Sequence, residues 1–471
     1  MQTVSTLYIN GQAVAGDRDA FPVINPATGD AFAHCPAASP EQVDDAVAAA
    51  GAAFKTFQYT PNAELKAMLH RIADLIDAHA DELAQLVTLE QGKPLALAQM
   101  EVGAAAGWTR YTADLEIPVK VIEDSETRLA ELHYKPLGVV GSITPWNWPL
   151  MIAVWHIMPA LRTGNTVVSK PSSFTPFSTL KLVELINEVV PAGVINIVTG
   201  EGGIGRAMTQ HADIRKIVFT GSTPTGQDIM RNAADNLKRL TLELGGNDAG
   251  IVLPGADLDR IAPALFQTAF INMGQTCAAL KRLYVHESQY EDLCQRLAKI
   301  ATEQVVGNGL EVDVTFGPVQ NKAQLAIVAE LVSDAKQQGA RVLSGGDVQS
   351  GNGYFYPPTI VADVSNGVRL VDEEQFGPAL PVVRYSDIDE AVAMANDNVN
   401  GLGASVWGED VEQARSVAVR LESGTAWINN HSEVLPHCPF GGSKMSGIGV
   451  EFGEEGLLEY TQSQLLNISR G

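Results

Sequence analysis

The segment Val139-Val140-Gly141-Ser142-Ile143-Thr144 decides the fold, because it opens a long series in which short apolar runs alternate with helical patterns. After this first strand, further apolar runs predict strands over residues 166–169, 194–198, 216–219 and 240–244. A short helix is predicted after Gly203, and the spacing of apolar residues predicts longer helices over 150–162, 177–190 and 225–236. Apolar strands that alternate with helices of this length are typical of a parallel, doubly wound sheet.

A second alternating series follows the first. Its predicted helices cover residues 290–306, 322–339, 387–397 and 411–422. Its predicted strands cover residues 341–343, 379–383, 404–407 and 424–428. The predicted fold class is therefore α/β, with two doubly wound parallel-sheet domains that join near Gly245 to Asp248.

The two ends of the chain have simpler patterns. Thr6 to Val14 predicts a strand, a turn at Asn10-Gly11 and a returning strand. Ser39 is a predicted helix N-cap, and one long helical stretch is predicted from Asn62 to about Gly92. Residues 457–468 predict a terminal strand.

Composition excludes several classes of function. The 471 residues include 32 Lys and Arg against 55 Asp and Glu, a net charge of −23, which repels nucleic acids and anionic membranes. The most apolar region, residues 136–161, contains four interrupting residues, Pro145, Asn147, Pro149 and Pro159, so it predicts no membrane-spanning helix. The first residues carry no secretory pattern, and we expect a cytoplasmic protein.

The four cysteines are too few and too scattered for a disulfide framework or a metal cluster, and we expect reduced thiols. His431 and His437 have no further ligand at suitable spacing, so no metal is predicted. Cys277 differs from the other cysteines because small and polar residues surround it, from Asn272 to Ala279. It is a candidate nucleophile, and a half-buried packing cysteine is the alternative.

A nucleophilic thiolate needs a base and a group that holds the oxyanion created by its attack. Glu243 ends an apolar strand and precedes two glycines, at the edge of the sheet where ligands bind in open α/β folds. Asn147 lies in a turn stiffened by two prolines and two tryptophans, so its amide is a candidate fixed donor. A solvated carboxylate and a helix-capping Asn remain the alternatives.

Two segments have features of phosphate binding. Residues 219–226 form a strand, a glycine turn and a helix start, which directs backbone N–H groups and the Ser222 hydroxyl toward an anion. Lys170-Pro171 follows the second strand, where the ammonium is a candidate partner for a ribose or phosphate, or a solvated strand-end lysine.

Together these segments closely resemble the aldehyde dehydrogenase superfamily over essentially the whole chain. The resemblance rests on seven motifs in the same order, which are Pro145-Trp146-Asn147, Lys170-Pro171, Phe219-Thr220-Gly221-Ser222 with Gly226, Glu243-Leu244-Gly245-Gly246, Gly274-Gln275-Thr276-Cys277, Glu374-Gln375-Phe376-Gly377-Pro378 and Pro439-Phe440-Gly441-Gly442.

The resemblance implies NAD(P)-dependent oxidation of an aldehyde to a carboxylic acid. It assigns the attack on the aldehyde to Cys277, the oxyanion to the Asn147 amide and the Cys277 N–H, and activation of the hydrolytic water to Glu243. Family members that transfer the acyl group to coenzyme A typically lack this carboxylate. An inactive structural or binding homologue is the alternative from another class. The cofactor residues that the resemblance implies are Thr144, Trp146, Lys170, Ser173, Gly221, Ser222, Gly226, Gly245, Glu374 and Phe376.

Two departures from the family pattern bear on specificity. Many NAD-preferring members have a Glu where this chain has Ser173, so we expect NADP to be accepted, alone or beside NAD. Members that oxidise succinic semialdehyde have arginines where this chain has Trp155 and Ile271. The resemblance therefore implies an uncharged aliphatic or aromatic aldehyde, with betaine aldehyde and succinic semialdehyde as alternatives. The predicted substrate residues are Trp148, Ile152, Trp155, Ile271, Thr276 and Phe440.

The resemblance also implies a domain plan and an assembly. Residues 1–115 and 137–245 would bind the dinucleotide, and residues 246–445 would form the catalytic domain. Residues 116–136 and 457–471 would form a β-hairpin arm with the terminal strand, which implies a homodimer or homotetramer.

Overall fold

A computed structural model describes residues 6–471. Its strands are β1 (Leu7–Ile9), β2 (Gln12–Val14), β3 (Arg18–Ile24), β4 (Ala31–Ala37), β5 (Lys120–Asp124), β6 (Arg128–Pro136), β7 (Val139–Ile143), β8 (Thr166–Lys170), β9 (Ile195–Ile197), β10 (Ile214–Thr220), β11 (Arg239–Glu243), β12 (Asp248–Val252), β13 (Leu280–His286), β14 (Arg341–Ser344), β15 (Thr359–Val364), β16 (Ala379–Tyr385), β17 (Asn400–Gly401), β18 (Gly403–Trp407), β19 (Thr425–Ile428), β20 (Ser443–Lys444), β21 (Gly447–Ile448) and β22 (Thr461–Ser469).

The α-helices are α1 (Pro40–Phe57), α2 (Asn62–Ala78), α3 (Ala80–Gln91), α4 (Leu95–Asp114), α5 (Pro149–Arg162), α6 (Phe177–Asn187), α7 (Gly202–Gln210), α8 (Thr223–Ala233), α9 (Leu258–Phe270), α10 (Tyr290–Thr302), α11 (Lys322–Gln337), α12 (Arg369–Asp372), α13 (Ile388–Asn396), α14 (Val411–Ala418) and α15 (Gly453–Leu458). Across residues 6–471, none of them combines the length and apolarity that crossing a membrane requires.

The first sheet has the strand order β2-β1-β9-β8-β7-β10-β11-β21. Its five central strands, β9 to β11 in that order, are parallel, and the outer strands are antiparallel. Every residue of β7 is buried because helices cover both faces of the sheet. The chain leaves β7 toward β8 on one side and later returns to β10 on the other, which makes the carboxyl ends of β7 and β10 a ligand-binding switch point.

The second sheet has the order β14-β15-β16-β13-β12-β18-β19, with all neighbours parallel except β14. The predicted α/β class with two parallel-containing sheets is confirmed. The strands β12, β13 and β15 were not predicted from the sequence. In β13 the buried charged side chains of Lys281 and Arg282 interrupt the apolar run that signals a buried strand.

Several predicted elements need correction. The stretch predicted as one helix from Asn62 breaks at His79, so it forms α2 and α3. The helix α4 was not predicted, because its many Ala and Gly residues give a weak apolar periodicity. At the C-terminus, residues 457–458 still belong to α15, and the strand begins only at Thr461. The Ser39 cap is confirmed, since its hydroxyl accepts from the Gln42 N–H in a capping box.

The predicted arm forms a three-stranded antiparallel sheet of order β22-β6-β5. The terminal strand β22 therefore pairs with β6 of its own chain. Apolar side chains are exposed on this sheet, namely Val121, Ile122, Leu465 and Ile468. The assembly stays a prediction, as do the domain boundaries. After residue 445 the chain returns to the first sheet, where Gly447 of β21 pairs with Glu243 at the end of β11.

A buried ion pair holds the turn between β7 and α5. Lys93 and Glu101 are fully buried, with Nζ 2.5 Å from Oε2. The Lys93 ammonium also donates to the Asn147 carbonyl at 2.9 Å and lies 3.6 Å from the centre of the Trp148 ring. The other Glu101 oxygen accepts from two N–H groups in the first turn of α5. One ion pair thus fixes the turn that carries Asn147.

Substitution Glu101→Gln should lower the free energy of unfolding by about 3 kcal/mol or more, because it leaves the Lys93 ammonium buried without a counter-charge. Urea denaturation measures this change. The matched control is Glu116→Gln, which removes an exposed ion pair with Lys66 and should cost less than about 1 kcal/mol. Equal effects of the two substitutions would contradict the role of the buried pair.

Candidate active site

A cavity of about 210 Å³ opens between the carboxyl ends of the two sheets. Predicted site residues from five separate chain segments line it, namely Trp146, Asn147, Gly221, Ser222, Gly245, Cys277, Glu374 and Phe376. Gln324 and Ile327 of α11 also line this cavity, and the sequence analysis did not single them out. Segments that lie far apart in sequence therefore converge on one small volume.

Cys277 follows a strained segment, here called the nucleophile loop, residues 271–277. Asn272 and Met273 have left-handed backbone angles (φ 50° and 59°), which are unfavourable for side chains other than Gly. Side-chain amides hold this conformation, since Gln275 Nε2 donates to the Asn272 carbonyl at 2.9 Å. The loop presents the half-buried Cys277 at the cavity wall.

Asn147 is tied to the nucleophile loop from the opposite domain. Its Nδ2 donates to the Gln275 carbonyl at 2.9 Å, and its own carbonyl accepts from Asn272 Nδ2 at 2.9 Å. Next to it, Trp148 Nε1 donates to the Thr276 hydroxyl at 2.9 Å. These bonds hold the turn predicted to be rigid directly against the cysteine-bearing loop.

Glu243 lies at the end of β11 and does not line the cavity, although Leu244 and Gly245 do. It is buried, and neither of its carboxylate oxygens has a hydrogen-bond partner in the described part of the chain. Burial, and then the neighbouring Glu451, raise the pKa of Glu243 well above its usual range. The raised pKa favours the neutral form of Glu243 in this conformation, and the side chain must move to reach the cavity.

Glu451 was not predicted because nothing in its local sequence marks it as a site residue, although its backbone pairs with that of Phe440. It is buried, and its Oε1 lies 3.3 Å from His156 Nε2. The same nitrogen lies 3.0 Å from the Thr220 hydroxyl, while His156 Nδ1 lies 3.2 Å from the Ser142 hydroxyl. His156, which had no assigned role, thus belongs to a polar network beneath Glu243.

The thiol of Cys277 is neutral in this conformation. Burial, and to a smaller extent the charges of Glu243, Asp248 and Glu374, raise its pKa to about 12. Lys281 opposes them. Its buried ammonium donates to the Cys277 carbonyl at 2.6 Å. Neither Asp248 nor Lys281 was predicted as a site residue, because both fall in strands that were missed.

Glu374 and Phe376 close one side of the cavity. Glu374 Oε1 accepts from the Gly246 N–H at 3.1 Å. At Gly245 a Cβ atom would lie 2.5 Å from Glu374 Oε2, so only glycine admits this carboxylate. The Phe376 ring packs edge-to-face against Trp146, with centroids 5.3 Å apart.

A second cavity, of about 400 Å³, lies beyond the ends of β7 and β8. Lys170 lines it together with the first turn of α7 and part of α8. The Lys170 ammonium donates to the Pro171 carbonyl at 3.0 Å, and burial lowers its pKa to about 8. Arg206 of α7 also lines this cavity and was missed, because nothing in its local sequence marks it as a ligand-binding residue.

Three of the predicted cofactor residues line neither cavity. Thr144 is buried, and its backbone N–H donates to the Lys170 carbonyl. Ser173 is half-buried in the turn after β8. At Gly226, a Cβ would lie 2.6 Å from Leu244 Cδ2, so this glycine allows α8 to pack closely on the sheet.

The predicted substrate residues do not share one cavity. Trp148 and Ile152 are buried, and the Thr276 hydroxyl accepts a hydrogen bond from Trp148. Ile271 lines a separate cavity of about 430 Å³ beside Met100.

Trp155 belongs to an aromatic cluster instead. Its ring centroid lies 4.7 Å from that of Phe452 and 5.8 Å from that of Trp108. Phe440 joins this cluster through Phe452 and contacts the residues around Cys277. The aromatic cluster therefore reaches the hydrophobic group that includes Cys277.

The two loop histidines differ in their surroundings. His431 is buried against Trp427, with Nε2 3.4 Å from Asp248 Oδ2, so it is a packed residue rather than a cavity-lining one. The His437 ring lies 6.4 Å from that of Tyr111. Within residues 6–471, no three His, Cys, Asp or Glu side chains cluster in a way that would hold a metal ion.

Comparison with known proteins agrees with the geometry. The family model described as the aldehyde dehydrogenase family matches residues 13–466. The phenylacetaldehyde dehydrogenase of Pseudomonas fluorescens is 42% identical over 482 aligned positions, covering 98% of this chain and 95% of that protein.

Solved structures give the same result. An aldehyde dehydrogenase from Bacillus cereus in complex with NAD⁺ has a TM-score of 0.96 at 38% identity, covering 99% of this chain and 96% of that one. An E. coli enzyme described as NADP dependent has a TM-score of 0.97 at 36% identity, covering 99% and 98%. The fold, the converging motifs and these similarities all lead to one conclusion: the chain belongs to the aldehyde dehydrogenase family.

Proposed function

We propose that this aldehyde dehydrogenase oxidises an uncharged aliphatic or aromatic aldehyde to the free carboxylic acid through a thioester on Cys277. The observation that carries the proposal is the meeting of Cys277 and Asn147 in one cavity, with Glu243 directly before Leu244 and Gly245, which line that cavity. A coenzyme A-dependent enzyme would have no use for Glu243, and an inactive homologue would have no reason to keep all three side chains. The cytoplasmic location stays a prediction.

In the proposed reaction, the Cys277 thiol loses its proton to water, and the thiolate sulfur adds to the aldehyde carbon. The resulting oxyanion takes the place of the Gln275 carbonyl as acceptor from Asn147 Nδ2, and the Cys277 N–H is the second donor. Loss of hydride from the carbon then leaves a thioester. Glu243 takes a proton from water, the hydroxide adds to the thioester, and the acid leaves as the thiol is restored.

The residues present fit a nicotinamide dinucleotide, which supplies the hydride acceptor when bound. Glu374 would hold the ribose next to the thiol. Its carboxylate occupies the space that the absent side chain of Gly245 leaves free. The Ser222 hydroxyl and the start of α8 face the same cavity and would bind the pyrophosphate. Lys170 in the second cavity would bind the adenosine ribose.

We further propose that NADP is accepted. The Ser173 side chain places no carboxylate beside Lys170, although the Asp228 carboxylate lines the same cavity. Arg206 lines the same cavity, and no carboxylate within residues 6–471 forms an ion pair with it. The nearby Asp228 already pairs with Arg231 at 2.6 Å. The cavity therefore offers an uncompensated positive charge to a phosphate.

Substitution Cys277→Ala should abolish aldehyde-dependent NAD(P)H formation. Glu243→Gln should slow turnover and let the acyl-enzyme accumulate, which mass spectrometry of the intact protein would detect. Asn147→Ala should lower kcat by about 10²–10³-fold, because it removes an oxyanion donor. Cys438→Ser, which changes an exposed thiol, is the control. NAD(P)H formation that requires coenzyme A would contradict hydrolysis.

Among benzaldehyde, hexanal, succinic semialdehyde and betaine aldehyde, one of the first two should have the highest kcat/KM. The reason is the apolar aromatic cluster of Trp108, Trp155, Phe440 and Phe452, which offers no cation to a distal carboxylate. The initial rate of NAD(P)H formation measures this ranking. A clear preference for succinic semialdehyde would contradict it, and a preference for betaine aldehyde would favour a cation–π site.

Substitution Arg206→Ala should lower kcat/KM for NADP about tenfold or more while leaving that for NAD nearly unchanged, because it removes a charged hydrogen-bond partner of the 2′-phosphate. Arg71→Ala, at an exposed arginine of α2 that does not line this cavity, is the matched control. An equal decrease with both cofactors, or none with NADP, would show that Arg206 does not recognise this phosphate.

A further inference from the structure

Lys281 is a buried lysine that the proposed reaction does not use. It lies near the start of β13, and only 2% of its side chain is exposed. A buried ammonium has to be matched by polar partners. Its Nζ donates to the Thr276 carbonyl at 2.7 Å and to the Cys277 carbonyl at 2.6 Å, and it lies 3.3 Å from Glu374 Oε1.

These partners belong to two different parts of the site. The two carbonyls end the nucleophile loop, while Glu374 belongs to the segment that closes the cavity. That segment is also attached to the Lys281 backbone, because Gln375 Nε2 donates to the Lys281 carbonyl at 3.1 Å. The Lys281 ammonium lies 5.7 Å from the centre of the Phe376 ring. Lys281 thus joins the nucleophile loop to the Glu374 segment, residues 374–376. It does so through its own main chain and through its side chain.

Lys281 also balances the charges around the thiol. Three carboxylates act on Cys277, namely those of Glu243, Asp248 and Glu374, and each raises the pKa of the thiol. Lys281 acts in the opposite direction. An opposite charge at short range favours the ionised form of a group, most strongly in a site shielded from water.

We propose that Lys281 is a positioning residue of this active site, which fixes the nucleophile loop against the Glu374 segment and holds a positive charge behind the Cys277 sulfur. Glu374 shares that charge, so the two side chains have opposite effects on the thiol. This role of Lys281 rests on the proposed function, because it concerns the thiol that is proposed as the nucleophile. Its test measures the reactivity of that thiol and needs no aldehyde.

The test is the pH dependence of Cys277 alkylation by iodoacetamide, followed by mass spectrometry of the peptide that contains Cys277. The protein carries Cys438→Ser to remove the exposed thiol, and Cys277→Ala identifies the signal. At pH 7.5 the variant Lys281→Met should react about tenfold more slowly, because loss of a nearby opposite charge shifts a thiol pKa by about one unit or more. Lys281→Arg should restore most of the rate.

The variant Glu374→Gln should react faster than the parent at the same pH, because it removes a carboxylate that opposes ionisation of the thiol. Slower alkylation in both Lys281→Met and Glu374→Gln would indicate a merely structural role and overturn the proposal. If Lys281→Met does not fold, Glu374→Gln decides alone, and an unchanged or slower rate overturns the proposal. Failure of the proposed function would appear separately, as a parent protein that forms no NAD(P)H from any aldehyde.

Discussion

The hydrogen bond from the Asn147 amide to the Gln275 carbonyl joins the two halves of the molecule at the point where chemistry is proposed. Asn147 follows a strand of the first sheet, and Gln275 precedes a strand of the second. The Asn147 carbonyl is held in turn by Lys93 and Asn272, one from each side. The cavity exists because these bonds hold the carboxyl ends of two parallel sheets together, so the geometry of the site depends on how the sheets are joined.

Several ionisable side chains are buried close together at the site, and the surrounding fold must hold them in place. Glu243, Asp248 and Glu374 all lie close enough to affect the Cys277 thiol, and Lys281 opposes them. In a medium of low dielectric constant, carboxylates so close together cannot all ionise without cost. Burial is the first cause of the raised pKa values of Glu243 and Glu374. One neighbouring carboxylate adds to each, Glu451 for Glu243 and Asp248 for Glu374. The polar network of Glu451 and His156 extends this charge cluster beneath the sheet.

The first sheet could be predicted because its strands are continuous apolar runs, whereas β12 and β13 carry buried Asp248, Lys281 and Arg282 and were missed. Five of the seven motifs contribute residues to one cavity, because they lie at strand ends or in stiff turns. Lys170 lines the second cavity instead, and Phe440 lies in the aromatic cluster. Arg206, Lys281 and Glu451 could not be found, because each becomes significant only through neighbours that are distant in sequence. The six predicted substrate residues failed to form one tunnel for the same reason.

The proposed mechanism needs two anions in one pocket at different steps, first the Cys277 thiolate and then the Glu243 carboxylate. The charge of each group affects the ionisation of the other. While Cys277 is a thiol or thiolate, its ionisation and that of Glu243 oppose each other, because each charge raises the pKa of the other group. Once the sulfur is part of a thioester it carries no charge, and its opposition to Glu243 disappears. Burial and Glu451 still raise the pKa of Glu243 at that stage, so this side chain must also move toward the cavity before it activates water.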